Sequence, residues 1–290
     1  MAEPLPLCYL NGAYLPLTEA RISPLDRGFL YADGVYELMP VYGGRPFRFA
    51  AHGERLARSL AAIGMRDPHT REGWRALLGA LLEKNGGGDC YIYWQVTRGA
   101  QHGRTHAPLP DIPRTVFAFC APWPATTPGS LEQGVACVTA ADTRWARCDI
   151  KSVALLANVL LRQQSVDAGA AETILLRDGG LTEASASAVH VVLGGTLVVP
   201  PPSHQILPGT TRGVVEELAA RVALPCRAAA VSEAQLRAAD EIWLSAATRE
   251  VQAVTRLDGR AVGTGQPGPV WRRVYDELQR YKGELAGTPW

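Results

Sequence analysis

Lys151 is the side chain of this sequence with the clearest chemical potential. The 290 residues include 29 lysines and arginines, and only three of these are lysines: Lys84, Lys151 and Lys282. Lys84 ends a predicted helix and Lys282 lies in a polar helix, so we expect both on the surface. Lys151 instead precedes the apolar segment VALLANVLL, where loss of solvation favours a neutral amine that can form a Schiff base. Taken alone, the position equally fits a lysine whose stem lies along the surface at a helix start.

Four further residues could bind the polar ends of a cofactor. Glu183 follows a turn and precedes a small-residue strand, where a carboxylate could hold the proton of a pyridinium ring. Thr210 and Thr211 begin a predicted helix, and N–H groups with hydroxyls at a helix start suit a phosphate. Thr248 ends a predicted apolar strand and offers another hydroxyl. Read singly, Glu183 is more simply an ordinary turn glutamate, Thr210 and Thr211 are more simply helix-capping residues, and Thr248 is equally weak evidence.

Arginine and histidine side chains supply candidate anion sites. Arg55 lies near a helix start and could grip a phosphate with its planar fork. Arg104 and His106 stand two residues apart in a polar loop, and together they could hold a carboxylate. A solvated helix arginine and a surface loop are the simpler interpretations of each segment alone. His102 and His106 have no third ligand nearby in the sequence, so we predict no metal site.

The elements that position these residues alternate between hairpins and separate helices. An Asn11-Gly12 turn predicts a hairpin over 7–17. Further strands are predicted at 90–98, 114–120, 134–140, 172–177, 187–193, 196–199 and 241–247, and helices at 52–63, 71–84, 153–168, 212–223 and 269–284. This mixture predicts an α+β fold instead of a doubly wound parallel sheet. A stretch rich in proline and threonine, 121–129, is the predicted linker between a small N-terminal domain, 1–120, and a large C-terminal domain, 130–290.

Composition excludes several classes of protein. Hydrophobic residues make up 47% and charged residues 20%, which is enough apolar material for a real core. The net charge of +1 leaves no basic excess for a nucleic-acid backbone. We expect neither a secretory signal nor a membrane span, because the N-terminus lacks a basic segment followed by an apolar one and no apolar run is long enough. The six cysteines never form CxxC, which favours a reducing cytoplasm.

The order and spacing of eight segments resemble one enzyme family. They are DRGFLYADGVYE (26–37), HGERL (52–56), YWQVTRG (93–99), RTH (104–106), RWARCDIKSVALLANVL (144–160), ETILLRDGGLTEASAS (172–187), ILPGTTR (206–212) and SAATREV (245–251). Together they resemble the class IV aminotransferases, which are the fold-type IV pyridoxal phosphate enzymes, and within them the D-amino acid aminotransferase branch. The resemblance implies a small α/β sandwich-like domain and a larger β-barrel-like domain with helices.

The resemblance also implies a role for each matching residue. Lys151 would form the aldimine with pyridoxal 5′-phosphate and move the proton between the substrate Cα and the cofactor. Glu183 would keep the pyridine nitrogen protonated, and Leu207 would support the ring face. The residues that would anchor the phosphate are Arg55, Thr210, Thr211 and Thr248. Those that would hold the substrate carboxylate are Tyr36, Arg104 and His106, the last two from the neighbouring subunit, so the family pattern implies an obligate homodimer.

The expected reaction is ping-pong transamination between a D-amino acid and a 2-oxo acid, with D-alanine and D-glutamate as the typical amino acids. An (R)-selective amine transaminase and an aminodeoxychorismate lyase would share the cofactor residues and stay open as alternatives. A branched-chain L-enzyme fits less well, because it lacks the Arg104–His106 pair, and a non-catalytic binding protein would leave Lys151 idle. The chain departs from the family pattern at Ala186 and Ala188, and in a loop before Arg104 that is one residue longer.

Overall fold

The computed structural model describes residues 3–123 and 130–284, which form two compact units. Unit 1 contains residues 3–123 together with Ile150–Leu155, and unit 2 contains residues 130–149 and 156–284. Residues 124–129 of the predicted linker lie outside the described residues. The predicted domain boundaries at 120 and 130 therefore stay predictions, while the segment around Lys151 is assigned to unit 1.

Unit 1 is an antiparallel sheet with three α-helices among its described residues. Its strands are β1 (Leu7–Leu10), β2 (Ala13–Pro16), β3 (Gly34–Tyr42), β4 (Arg45–Pro46), β5 (Cys90–Thr97) and β6 (Thr115–Pro122). They follow the order β2-β1-β6-β5-β3-β4. The helices are α1 (Arg27–Tyr31), α2 (Phe49–Ala62) and α3 (Arg71–Lys84). A core that includes Leu60 of α2, Leu78 of α3 and Trp94 of β5 holds the helices against the sheet.

Unit 2 is a mixed sheet with five helices among the described residues. Its strands are β7 (Val135–Ala141), β8 (Glu172–Arg177), β9 (Gly180–Ala184), β10 (Ala188–Leu193), β11 (Thr196–Val199), β12 (Cys226–Ala228), β13 (Glu241–Ala246), β14 (Glu250–Leu257) and β15 (Arg260–Ala261). The order is β12-β11-β10-β13-β14-β7-β8-β9, with β15 paired to β14. The helices are α4 (Ser130–Gln133), α5 (Leu156–Asp167), α6 (Thr210–Arg221), α7 (Glu233–Arg237) and α8 (Pro269–Glu284).

Local signals account for the elements that were predicted well. The α+β class is confirmed by the two sheets with separate helices. The β1–β2 hairpin turns at Asn11 and Gly12, whose φ values of 50° and 100° suit asparagine and glycine. Helix α3 has its predicted bounds because the Thr70 hydroxyl accepts a hydrogen bond from the Gly73 N–H at its start.

The helix predicted at 153–168 is wrong at its beginning. The Val153 N–H donates to the Gly34 carbonyl at 3.0 Å, and Ser152 forms a bridge with Val35 of β3. This pairing keeps the chain extended, so α5 begins only at Leu156. Helix α2 begins earlier than predicted, at Phe49, because Arg48 enters it in the left-handed region at φ 59° with no side-chain cap to mark the start. The elements β9, β12, α1, α4 and α7 were not predicted from the sequence.

Two general features follow from the described ranges. Within residues 3–123 and 130–284, none of the helices combines the length and the apolarity needed to cross a bilayer. In the same ranges, no group of three or more histidine, cysteine, aspartate or glutamate side chains could hold a metal ion.

Candidate active site

Lys151 lies in unit 1, in the extended segment beside β3. The Tyr36 N–H donates to the Lys151 carbonyl at 3.0 Å, and the Lys151 N–H donates to the Ser59 hydroxyl of α2 at 3.2 Å. The half-buried side chain places its Nζ 4.2 Å from the centroid of the Tyr36 ring. The main chain of Lys151 is therefore fixed on both sides, and its amine lies on an aromatic surface instead of in open solvent.

The other two lysines differ from Lys151 in their surroundings. Lys84 is exposed, which confirms its predicted surface position. The surface prediction for Lys282 is wrong: its side chain is only 19% exposed, and its Nζ lies 2.5 Å from a carboxylate oxygen of Glu250. Lys282 thus belongs to an ion pair within unit 2.

Behind Tyr36, a buried cluster forms around Glu37 of β3. The Arg55 guanidinium of α2 donates from Nε and one terminal nitrogen to the two Glu37 oxygens, both at 2.7 Å. The Nδ1 of His52 lies 2.7 Å from the same carboxylate, which can only accept. Burial opposes ionisation of Glu37, but Arg55 and His52 outweigh it and lower its pKa to about 2. Burial lowers the pKa of His52, which keeps its ring neutral near pH 7.

Within the single chain, the predicted carboxylate-binding residues Arg104 and His106 lie beside Tyr31, whereas Tyr36 lies beside another tyrosine. Arg104 and His106 are exposed in the loop between β5 and β6. The Arg104 guanidinium lies 5.3 Å from the centroid of the Tyr31 ring, and the His106 ring meets the same ring edge-on at 5.6 Å. Tyr36 instead stacks on Tyr93 of β5, with centroids 5.5 Å apart.

In unit 2, Glu183 near the end of β9 is buried and shares the guanidinium of Arg144 with a second carboxylate. Arg144 donates to one of its oxygens, and the Leu207 N–H lies 3.3 Å from the other. Arg144 is also held by Asp142, at 2.9 and 2.8 Å from its two oxygens. Burial raises the pKa of Glu183, and the shared Arg144 only partly opposes it. This carboxyl group would gain from one more hydrogen-bonded cation.

Thr210 and Thr211 are the first residues of α6. The residue before them, Gly209, has no side chain with which to cap the first N–H groups of this helix. Both threonines are half-buried, so the helix start combines backbone donors, two hydroxyls and the positive end of the helix dipole. Thr248 lies in the turn between β13 and β14 and is exposed. These groups are suited to binding an anion.

The corner of the chain that follows Glu183, residues 184–188, includes the two alanines that depart from the family pattern. Ser185 and Ser187 remain, and both hydroxyls donate to the buried carboxylate of Glu172, the latter at 3.0 Å. Ala186 and Ala188 carry no polar group there. The corner is therefore held by Glu172.

Three charged residues with clear structural partners were not assigned a role from the sequence: Glu37, Arg144 and Arg27. Glu37 could have been noticed as the one acidic residue in the apolar strand GVYELMPVY. His52 and Arg55, three apart on one helix face, are its complement. For Arg27 and Arg144 the sequence offers no local signal, because their distant partners lie 39 to 79 residues away.

A family model settles the relationship. The amino-transferase class IV family matches residues 34–257, which include Lys151, Glu183 and the start of α6. The chain belongs to the class IV aminotransferases. Two curated relatives match over nearly their whole length. The D-alanine aminotransferase of Staphylococcus epidermidis is 34% identical over 273 residues, covering 94% of this chain and 96% of that one. The D-alanine aminotransferase of Listeria monocytogenes is 35% identical over 283 residues, covering 96% and 98%.

Solved structures show the same fold in this class IV aminotransferase. The T.th. branched-chain amino acid aminotransferase with pyridoxamine 5′-phosphate superposes with a TM-score of 0.88 at 27% identity, covering 98% of this chain and 96% of that one. The branched-chain enzyme of Escherichia coli gives a TM-score of 0.90 at 24% identity, covering 97% and 94%, and supports the fold alone. The fold-type IV architecture expected from the sequence is confirmed.

Proposed function

We propose that this class IV aminotransferase exchanges amino groups between D-amino acids and 2-oxo acids, with D-alanine as donor and 2-oxoglutarate as acceptor. The observation that carries the proposal is the near-complete match to curated D-alanine aminotransferases at 34–35% identity. The Arg104–His106 pair, which the resemblance assigns to substrate carboxylate binding, supports the same conclusion.

The donor set fits pyridoxal 5′-phosphate, the cofactor of this family. When bound, this cofactor supplies an electron sink that stabilises the carbanion left after the Cα proton is removed. The Lys151 amine, which lies on the Tyr36 ring, would hold the cofactor through its aldehyde group and would carry the proton at the substrate Cα. Glu183 would accept a hydrogen bond from the protonated pyridine nitrogen, and this second cation would compensate a carboxylate whose pKa is raised by burial.

The phosphate would be held by groups of two kinds. Thr210 and Thr211 offer N–H groups and hydroxyls at the start of α6, and Thr248 offers a hydroxyl from its turn. Arg55 would add the positive charge that a phosphate pairs with, on a side chain that Glu37 holds in place. The backbone N–H of Leu207 lies against Glu183, and its side chain would support the ring face.

Handedness would follow from where the carboxylate is held. A single lysine delivers its proton to one face of a planar centre, so the side on which the carboxylate is bound decides which enantiomer reacts. Arg104 and His106 supply the charge and the hydrogen bonds that such a clamp requires, and Tyr36 adds a hydroxyl.

We place the active form as a homodimer in the cytoplasm. Arg104 and His106 are exposed on the single chain, as side chains that serve a partner's site would be. Helix α5 exposes Leu156, Val159 and Leu160 at 73%, 60% and 60%, an apolar face that a second subunit would cover. The six free cysteines, five of them buried, suit a reducing compartment.

A coupled assay with D-alanine and 2-oxoglutarate tests the proposal. We expect pyruvate and D-glutamate from the wild type, no detectable product from Lys151→Ala, and near-native rates from Lys84→Ala, whose side chain is exposed. Pyruvate formation without any amino acceptor would point to lyase chemistry instead. Absence of product from the wild type loaded with cofactor would overturn the proposed function.

A further inference from the structure

We propose that Arg27 is a positioning residue that holds the substrate-carboxylate loop, residues 104–106, in its binding geometry. The inference rests on the proposed function, because it assigns Arg27 a task only if Arg104 and His106 bind a carboxylate. Arg27 itself would touch neither substrate nor cofactor; it acts through the main chain of the loop.

The Arg27 guanidinium grips two consecutive peptide units of that loop. Its two terminal nitrogens donate to the carbonyls of Thr105 and His106, each at 2.8 Å, and its Nε donates to Asp33 at 2.8 Å. The Arg27 side chain is 4% exposed, although the loop itself is exposed. A planar fork on adjacent carbonyls fixes the orientation of the peptide between them. The directions in which Arg104 and His106 leave the main chain are fixed with it.

The base that carries Arg27 is itself rigid. The Arg27 N–H donates to the Gly99 carbonyl at 2.9 Å. Asp26 caps α1 by accepting from the Gly28 N–H at 2.7 Å, and it also accepts from the hydroxyl of Thr97 at 3.0 Å. Only glycine fits at position 28, because a Cβ there would lie 2.2 Å from Thr97 Cγ2. Arg27 thus fixes the loop relative to the sheet of unit 1.

Tyr31, one turn further along α1, orders the clamp side chains. Its ring lies 4.8 Å from the Arg27 guanidinium and 5.3 Å from that of Arg104, and it meets the His106 ring edge-on. Cations over an aromatic face are attracted to its quadrupole. Helix α1 therefore contributes one contact to the loop backbone, through Arg27, and one to its side chains, through Tyr31.

Asp33 balances the charge of two neighbouring arginines, Arg27 and Arg98. Asp33 pairs with both Arg27 and Arg98, at 2.8 and 2.7 Å. Although partial burial opposes it, these two arginines lower the pKa of Asp33, so it stays ionised and neutralises part of their charge. Arg98 donates to the carbonyls of Ile63 and Gly64 instead of to the loop. The two arginines thus share Asp33 but hold different segments.

This difference provides a matched control. We compare Arg27→Gln with Arg98→Gln, since each removes one of the two arginines that bind Asp33 and only the first releases the loop. A preorganised carboxylate clamp serves ground state and transition state alike, so its loss raises KM more than it lowers kcat. We expect Arg27→Gln to raise KM for D-alanine by about tenfold to a hundredfold, with kcat within about threefold. The inhibition constant of propanoate, a carboxylate without an amine, should rise in parallel.

Three further readouts separate positioning from simple damage. Arg27→Gln should leave the dissociation constant of the cofactor unchanged, Arg27→Lys should restore part of the affinity for D-alanine, and Arg98→Gln should leave KM near the native value. Equal effects of the two glutamine variants on KM, or an unchanged KM and propanoate inhibition in Arg27→Gln, would overturn the inference while leaving the proposed function intact. A wild type that does not react with D-alanine would overturn both.

Discussion

At the scale of single residues, the two buried carboxylates Glu37 and Glu183 are tuned in opposite directions by how completely arginine neutralises them. Glu37 accepts hydrogen bonds from two nitrogens of Arg55 and lies beside His52 Nδ1, and its pKa falls to about 2. Glu183 shares Arg144 with Asp142, and its pKa rises on burial. The negative charge of Glu37 is therefore compensated within the protein, whereas one more cation would stabilise the negative charge of Glu183. This contrast supports the proposal that Glu183 binds the pyridine nitrogen.

The Glu37 cluster has a testable pH dependence. Its pKa is lowered from 4.5 to about 2 in the folded chain. The carboxylate therefore stabilises the fold fully above about pH 4.5, and this contribution is lost as the pH falls from there towards 2. Glu37→Gln should lower the free energy of unfolding by about 3–5 kcal/mol at pH 7, because buried Arg55 loses the counter-charge of Glu37.

Denaturant unfolding of the wild type and Glu37→Gln between about pH 7 and pH 3 measures this. The difference in unfolding free energy should be constant from about pH 7 to about pH 5 and shrink below about pH 4.5. Glu54→Gln, at an exposed position of α2, is the control and should show no such change. A difference that persists undiminished at about pH 3 would contradict the assigned role of Glu37.

At the scale of elements, the sequence predicted what depends on near neighbours and missed what depends on distant pairing. The Asn11-Gly12 hairpin and the capped helix α3 carry their signals within a few residues, and both were predicted correctly. The start of α5 was placed too early because Ser152 and Val153 pair with β3, more than a hundred residues away along the chain. No periodicity in the segment itself could reveal that strand.

Helix α5 supports a prediction about assembly. Its apolar residues Val159 and Leu160 are each 60% exposed on the single chain, which is unusual for a face without a partner. Leu160→Asp should shift the protein from dimer to monomer, because burying a carboxylate in an apolar interface is costly. Gln164→Asp adds the same charge at an exposed polar position of the same helix and should leave the dimer intact. Light scattering measures both; a Leu160→Asp variant that stays dimeric would exclude this face from the interface.

At the scale of the whole molecule, the family resemblance assigns cofactor roles to residues that are far apart in the sequence, and it assigns the carboxylate loop to a partner chain. Lys151 and Arg55 belong to unit 1, and Glu183 and Thr210 belong to unit 2. Their identity could be predicted only through the family resemblance, since each motif alone fits a simpler interpretation. The salt bridge between Arg144 and Glu183 joins residues 39 positions apart, which no local pattern could predict.

Mixed dimers test whether the loop acts on the partner's site. Lys151→Ala and Arg104→Ala homodimers should both be weakly active or inactive at low D-alanine. In a mixed dimer, the intact Lys151 of one subunit would meet the intact Arg104 of the other and form one native site. Random reassociation of equal amounts should therefore restore about a quarter of native activity, since half the dimers carry one native site of two. Activity no higher than the mean of the two homodimers would show that the loop serves its own chain.

The most direct test of the central claim is the visible absorption spectrum of the cofactor-loaded protein, recorded before and after D-alanine and, separately, L-alanine. We predict that D-alanine converts the pyridoxal band to the pyridoxamine form and that L-alanine leaves it unchanged. That result would establish the cofactor, the amino transfer and the handedness in one experiment. Conversion by L-alanine, or a band that neither enantiomer alters, would contradict the assignment of this chain as a D-amino acid aminotransferase.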